Sequence, residues 1–217
     1  MSIKKYYPTS KVLVVDDSKT APPTMDGVKY MFLPFDSGVS AKRNAAVAAV
    51  DTEYVFLLED DCFFNEKTDL LELLKLLNVS GCDIIGPKAS GVDYSGIYTW
   101  DGPTRTVRCF RDPLDIAEGN VPLFEFIPNI FLAKTSVLKS HPWDEELKIG
   151  EHFAFFWKYR GQLKIGFTHA VSITHGHYET PGYASYRHRA VEYVKKFMRE
   201  NGIIRRVDFH SDISVTL

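Results

Sequence analysis

Residues 54–64, YVFLLEDDCFF, constrain the fold of this chain most: five successive apolar positions run straight into Glu59, Asp60 and Asp61. A short run without apolar-polar alternation, bounded by charge, predicts a buried parallel strand covered on both faces. Adjacent carboxylates at its end repel one another and favour protonation unless a cation sits among them. In open α/β sheets ligands bind outside the carboxyl ends of strands. A solvated acidic turn is the plainer alternative, and the stretch alone leaves both readings open.

The rest of the chain repeats the theme. KVLVVDDS at 11–18 is a second apolar strand ending in acid, at Asp16 and Asp17, and VKYMFLPF at 28–35 a third. GVSAKRN at 38–44 opens an alanine-rich helix for which Ser40 is the expected N-cap. A helix N-terminus with free backbone donors, and with Lys42 and Arg43 beside it, favours an anion such as phosphate; the same pattern also starts many ordinary helices. After the acid cluster comes a leucine-rich helix, with Thr68 as expected cap and Gly81 as stop, and then the strand CDIIGPKA. Strands and helices joined by short links predict an α/β fold with a mostly parallel central sheet flanked by helices.

From residue 90 the pattern changes. Alternating residues on either side of Asp101-Gly102 predict a small β-hairpin insertion, and 113–122 reads as irregular. The segment 122–140 predicts strand into helix, capped by Thr135 or Ser136. WDEELKIGEHFAFFWKYR becomes an aromatic helix that stops at Gly161, and LKIGFTHAVSITHGHY gives one or two strands that end in His175 and His177. A basic amphipathic helix and a tail complete the chain. The expected organisation is one domain at 1–183 and a helix with tail at 184–217, packed on it or leading to a further domain.

Composition removes several classes. With 26 basic and 28 acidic groups, no global charge calls for nucleic acid or anionic membrane. The cysteines, Cys62, Cys82 and Cys109, have neither disulfide-framework nor zinc spacing. No apolar run reaches the roughly 18 residues of a membrane span, and 1–10 lacks a signal-peptide core. A soluble, cytoplasmic chain is the expectation.

The carboxylates Glu59, Asp60 and Asp61 can hold a hard cation, Mg²⁺ or Mn²⁺, together with phosphate oxygens and water. Asp16 or Asp17 can accept hydrogen bonds from a nucleoside. His175 or His177 can complete a metal's ligands, although a histidine at a strand end is as often structural. Glu151 and His152, at a helix start, are candidates for a general base; a carboxylate there is also an ordinary dipole partner. Trp100, Trp143, Phe155, Phe156 and Trp157 can offer a stacking surface to a ligand, although most aromatics in a helix are core.

The ordered blocks VLVVDDS, GVSAKRNAAVAAVDTEYVFLLEDDC, NIFLAKT, WDEELKIGEHFAFF and GFTHAVSITHGH resemble the GT-A-fold glycosyltransferases, most closely the β-1,4-N-acetylgalactosaminyltransferase (GM2 synthase-like) group. The resemblance implies a UDP-sugar (nucleotide-diphosphate sugar) donor, a glycan hydroxyl acceptor, Mn²⁺ or Mg²⁺, and transfer with inversion. It places Glu59, Asp60 and Asp61 at the DxD position, with the metal on Asp61 and the ribose near Glu59. It sets Asp16 and Asp17 toward the nucleoside and Arg43 and Asn44 below the diphosphate, with His175 at the metal and His177 as alternative. Related transferases begin with a further strand and helix that carry part of the nucleotide pocket. The carboxylate these enzymes often carry three residues after the Glu-His pair is absent, Ala154 standing there, so the base role falls to Glu151. A nucleotidyltransferase, or a non-catalytic sugar-nucleotide or glycan-binding module, is the competing expectation.

Overall fold

The computed structural model describes residues 2–91, 94–176, 183–208 and 214–217. The first half runs α1 (Ser2–Tyr6), β1 (Leu13–Asp16), β2 (Lys29–Phe32), α2 (Val39–Ala49), β3 (Tyr54–Leu57), β4 (Cys62–Phe63), α3 (Leu70–Ser80) and β5 (Ile84–Ala89). Then follow β6 (Ile97–Asp101), β7 (Thr106–Phe110), β8 (Asp115–Ala117), β9 (Val121–Phe124), β10 (Phe131–Lys134) and α4 (Thr135–Ser140). The chain continues through α5 (Glu151–Lys158), β11 (Ile165–His175), α6 (Tyr183–Glu200), β12 (Arg205–Val207) and β13 (Ser214–Thr216).

The α/β class holds, but the central sheet is mixed rather than mostly parallel. Its order is β3-β10-β5-β11-β9-β8, with β4 paired to the end of β11. Strand β10 enters late in the sequence, threads between β3 and β5, and pairs antiparallel with both. Because β11 is parallel to β5, strands β3, β5 and β11 nonetheless point the same way and deliver their carboxyl ends to one edge. No local sequence signal encodes that interleaving. Strands β1 and β2 form a separate parallel pair.

Strand β3 is an edge strand, not a central one. Its lack of alternation has another cause: Val55 packs against the cluster around Phe131 and Phe156, while Tyr54 and Phe56 pack against the one around Leu73 and Leu77. Both faces are covered, although only one edge is paired.

Helix α3 buries Leu73, Leu76 and Leu77 and leaves Leu71 in water. Its cap is Asp69, whose carboxylate accepts from the amides of Leu71 and Glu72, and Gly81 closes it at φ 66°. Thr68, the expected cap, is buried and donates to the Ser172 carbonyl at 2.8 Å. Likewise α2 starts after Gly38, and Ser40 is buried with its hydroxyl on the Leu147 carbonyl. In both cases a partner from β11 or the 140s loop captured the hydroxyl that local chemistry assigned to the helix end. The cap of α4 is Lys134.

The hairpin β6–β7 forms as expected, but Asp101 pairs with Thr106, so 102–105 make a four-residue turn. Residues 113–122, expected as irregular, carry the antiparallel pair β8–β9. Strand β12 pairs parallel to β7 and carries β13, which extends the hairpin to four strands. Arg206 secures this sheet to α5: its guanidinium meets Asp208 at 2.6 Å and lies 4.4 Å from the Phe153 ring. Helix α6 packs on α5 through Val194, Phe197 and Met198.

Of the expected stacking aromatics, Trp143, Phe155, Phe156 and Trp157 belong to the core. Trp100 alone of the five is exposed. The cysteines are buried and free. Among the described residues, no helix is long and apolar enough to cross a membrane.

Candidate active site

The shared carboxyl edge gathers residues from opposite halves of the chain. The loop after β3 presents Glu59, Asp60 and Asp61. Strand β11 shifts register against β5 between Thr168 and Ser172, and beyond that shift its end pairs with β4, His175 opposite Cys62. His175 Nε2 lies 3.3 Å from Asp61 Oδ2 and 3.8 Å from Glu59 Oε2. The Gly176 amide donates to the Asp61 carbonyl at 2.7 Å, and Ser90, after β5, accepts from the His175 amide at 2.9 Å. Donor atoms of Asp61, Cys62 and His175 lie within 4.8 Å of one another.

This donor set fits a hard or borderline divalent cation. Burial, and then the Asp61 charge, push the Cys62 thiol up to about 12, and the carboxylate oxygen and the imidazole are the donors that suit a hard ion. Asp60 is exposed beside them. His177 lies outside the described residues.

Arg43 lies beneath the loop, on α2, and is buried. Its Nη1 donates to Glu151 Oε1, and its Nη2 lies 3.2 Å from Glu59 Oε1. Glu151, at the first turn of α5, is only 6% exposed and also accepts from Asn129 Nδ2 at 3.1 Å. Burial works most strongly against its charge, but the Arg43 guanidinium and a backbone hydrogen bond together outweigh it, leaving the carboxyl below its usual range. Glu59 goes the other way: burial raises its carboxyl, and Asp61, Glu151 and Asp60 add to the rise against the pull of Arg43.

The remaining expected residues are near, but engaged. Asp17 accepts from the Gly38 amide at 2.8 Å and meets Lys42 Nζ at 2.7 Å, so it caps α2 from the end of β1. Asp16 accepts from the Ser18 amide and hydroxyl, each at 3.0 Å. Asn44 spends both ends of its amide on the Trp143 backbone and also reaches Glu145. His152 donates from Nε2 to the Ile127 carbonyl at 2.7 Å and lies edge-on to Tyr94, Phe126 and Phe156. Burial pushes its pKa down to about 4, so it is a neutral packing residue and no base. Ala154 is buried in the core beside Phe153 and Trp157.

Sequence reasoning missed Asn129 as a site residue. The available signal was a lone amide between Pro128 and the apolar start of β10, within the block NIFLAKT.

A mixed α/β sheet whose like-directed strands end in a carboxylate-histidine cluster has the architecture of the GT-A glycosyltransferases. Two solved structures share the fold. One is S. aureus TarS 1-349 in complex with UDP-GlcNAc (TM-score 0.59, 18% identity, 88% of this chain and 57% of that one). The other is GalNAc-T7 with UDP, GalNAc and Mn²⁺ (TM-score 0.60, 14% identity, 91% of this chain and 46% of that one). The profile of glycosyl transferase family 2 matches residues 2–139, and the chain belongs to that family.

Among named relatives, mouse beta-1,4 N-acetylgalactosaminyltransferase 2 is 33% identical over 181 residues, covering 80% of this chain and 35% of that protein. Human beta-1,4 N-acetylgalactosaminyltransferase 1 is 30% identical over 190 residues, with the same shares. The chain thus spans about a third of the length of these curated relatives.

Proposed function

We propose that the chain transfers a sugar, of the N-acetylhexosamine type, from a UDP-sugar to a hydroxyl of a glycan, with inversion and with Mn²⁺ or Mg²⁺ bound. The observation that carries the reading is the approach of His175 to Asp61 at 3.3 Å, with the buried Arg43–Glu151 pair adjoining it through Glu59. The names of the relatives and the nucleotide ligands of the structural neighbours support the donor class.

Asp61 and His175 would hold the ion, with His177 the alternative ligand, and Glu59 and Asp60 would face the nucleotide. When bound, the ion supplies positive charge to the diphosphate as it leaves. Asp16 faces the nucleoside. Asp17 and Lys42 fix the N-terminus of α2, whose positive dipole end favours the diphosphate. Arg43 holds Glu59 and Glu151 in place from below, and Asn44 locks α2 to the loop that precedes α5.

Glu151 is ionised at neutral pH and so able to accept a proton. In the proposed step the acceptor oxygen attacks the anomeric carbon while the bond from that carbon to the diphosphate oxygen breaks. The electron pair leaves with UDP, and the acceptor proton goes to Glu151. A single attack on the face opposite the leaving group inverts the anomeric centre.

The test is UDP release from UDP-GalNAc and UDP-GlcNAc across a glycan acceptor panel, with Mn²⁺ or with EDTA, for wild type and Glu151→Gln. Transfer that needs the ion and falls by about 10²–10⁴ in the variant supports the reading. Transfer unaffected by EDTA refutes the metal requirement, and an unimpaired Glu151→Gln enzyme refutes the base.

A further inference from the structure

Asn129 sits in the loop between β9 and β10, and it is 4% exposed. Its Nδ2 donates to Glu151 Oε1 at 3.1 Å, but its Oδ1 is buried with no hydrogen-bond partner among the described residues. A buried acceptor left unsatisfied opposes folding, and native proteins rarely keep one without a use. A leucine of nearly the same shape would remove the orphaned oxygen and fill the space. The amide orientation also follows from chemistry: turned over, its oxygen would face the ionised carboxylate of Glu151.

Two bonds tie this loop to the start of α5. Besides Asn129 to Glu151, the Ile127 carbonyl accepts from His152 at 2.7 Å, so 127–129 grip two successive residues of the helix. Arg43 reaches the same Glu151 oxygen. An arginine alone fixes the charge of Glu151; a second donor from another element also fixes the rotamer.

We infer that Asn129 is a positioning residue for Glu151, holding the carboxylate at the angle at which it receives the acceptor's proton, and that it is kept at a cost in stability. The inference rests on the proposed base role of Glu151. A positioned base acts on the chemical step and leaves donor binding alone, so removal of Asn129 lowers kcat and spares KM for the donor.

The experiment compares wild type, Asn129→Leu, Asn129→Ala and Glu151→Gln for Mn²⁺-supported UDP release from UDP-GalNAc and UDP-GlcNAc, each enzyme's active amount being normalised by its folded fraction. For Asn129→Leu the expected result is a kcat lower by about 10–100-fold, a donor KM within about twofold of wild type, and a melting temperature equal to or above it. Asn129→Ala, which introduces no larger side chain, is expected to show the same kcat loss and serves if the leucine variant does not fold. A donor KM that rises while kcat holds overturns the inference, as does a kcat within about twofold of wild type in the folded variants, which leaves Asn129 a structural residue. If Glu151→Gln retains full turnover, the base reading falls whatever Asn129 does. If Glu151→Gln is inactive and the Asn129 variants are not impaired, only the positioning role falls. Absence of UDP release by wild type from both donors overturns the two together.

Discussion

Glu59 and Glu151 share one guanidinium: Arg43 donates from Nη1 to Glu151 and lies 3.2 Å through Nη2 from Glu59. The loop after β3 and the first residue of α5 are thereby joined through α2, so the nucleotide side of the proposed site and its base rest on a single buried cation. Its two partners shift in opposite directions, Glu59 upward and Glu151 downward.

Removing that cation leaves Glu151 buried without its strongest partner. Arg43→Met is expected to cost about 3–5 kcal/mol of stability in urea unfolding. Adding Glu151→Gln to it should recover a large part of that loss, because the stranded charge is gone; a double variant no more stable than Arg43→Met contradicts the pairing.

Asp61 faces His175, while Asp60 points to solvent. Asp61→Asn is expected to weaken Mn²⁺-dependent UDP binding by on the order of 10–100-fold, and Asp60→Asn by markedly less. Calorimetry with UDP and Mn²⁺, repeated in EDTA, checks both.

Gly38 lies at φ 92°, and a Cβ there would come within 2.6 Å of the Lys148 Cα. Gly161 has φ 74° but open space around it. Gly38→Ala should therefore cost more than the roughly 1–2 kcal/mol of left-handed strain expected for Gly161→Ala, since backbone must also shift where α2 begins. Thermal melts of the two variants compare them directly.

His152 makes stability depend on pH. Its folded pKa of about 4 lies below the ordinary histidine value of 6.5, so the unfolded chain binds the proton more readily. This contribution is complete above pH 6.5 and is lost as pH falls toward 4, at up to about 1.4 kcal/mol per pH unit. Urea unfolding at pH 7 and pH 5 should show the loss, and His152→Gln should flatten that part of the profile.

Much of the secondary structure could be read from the chain because its causes are local. The leucines of α3, the left-handed stop at Gly81, the strand ahead of Glu59 and the alternation of β6 and β7 all stem from neighbours in sequence. Helix ends were misplaced where a distant carbonyl captured the expected cap, as with Ser40 and Thr68. Asn44 was legible as part of a motif but not as a clamp on Trp143, a partner 99 residues away.

By itself the sequence determined which residue types stand at the carboxyl ends of its strands, and hence the acidic loop, the late histidine and the likeness to a sugar-nucleotide transferase. Only the tertiary structure decided who meets whom. β10 threads between β3 and β5, the end of β11 brings His175 to Asp61, and Glu151 accepts from Arg43 and Asn129. The reason is physical: periodicity and propensity act over a few residues, whereas a buried charge takes its partners from whatever the packed core brings within hydrogen-bond reach.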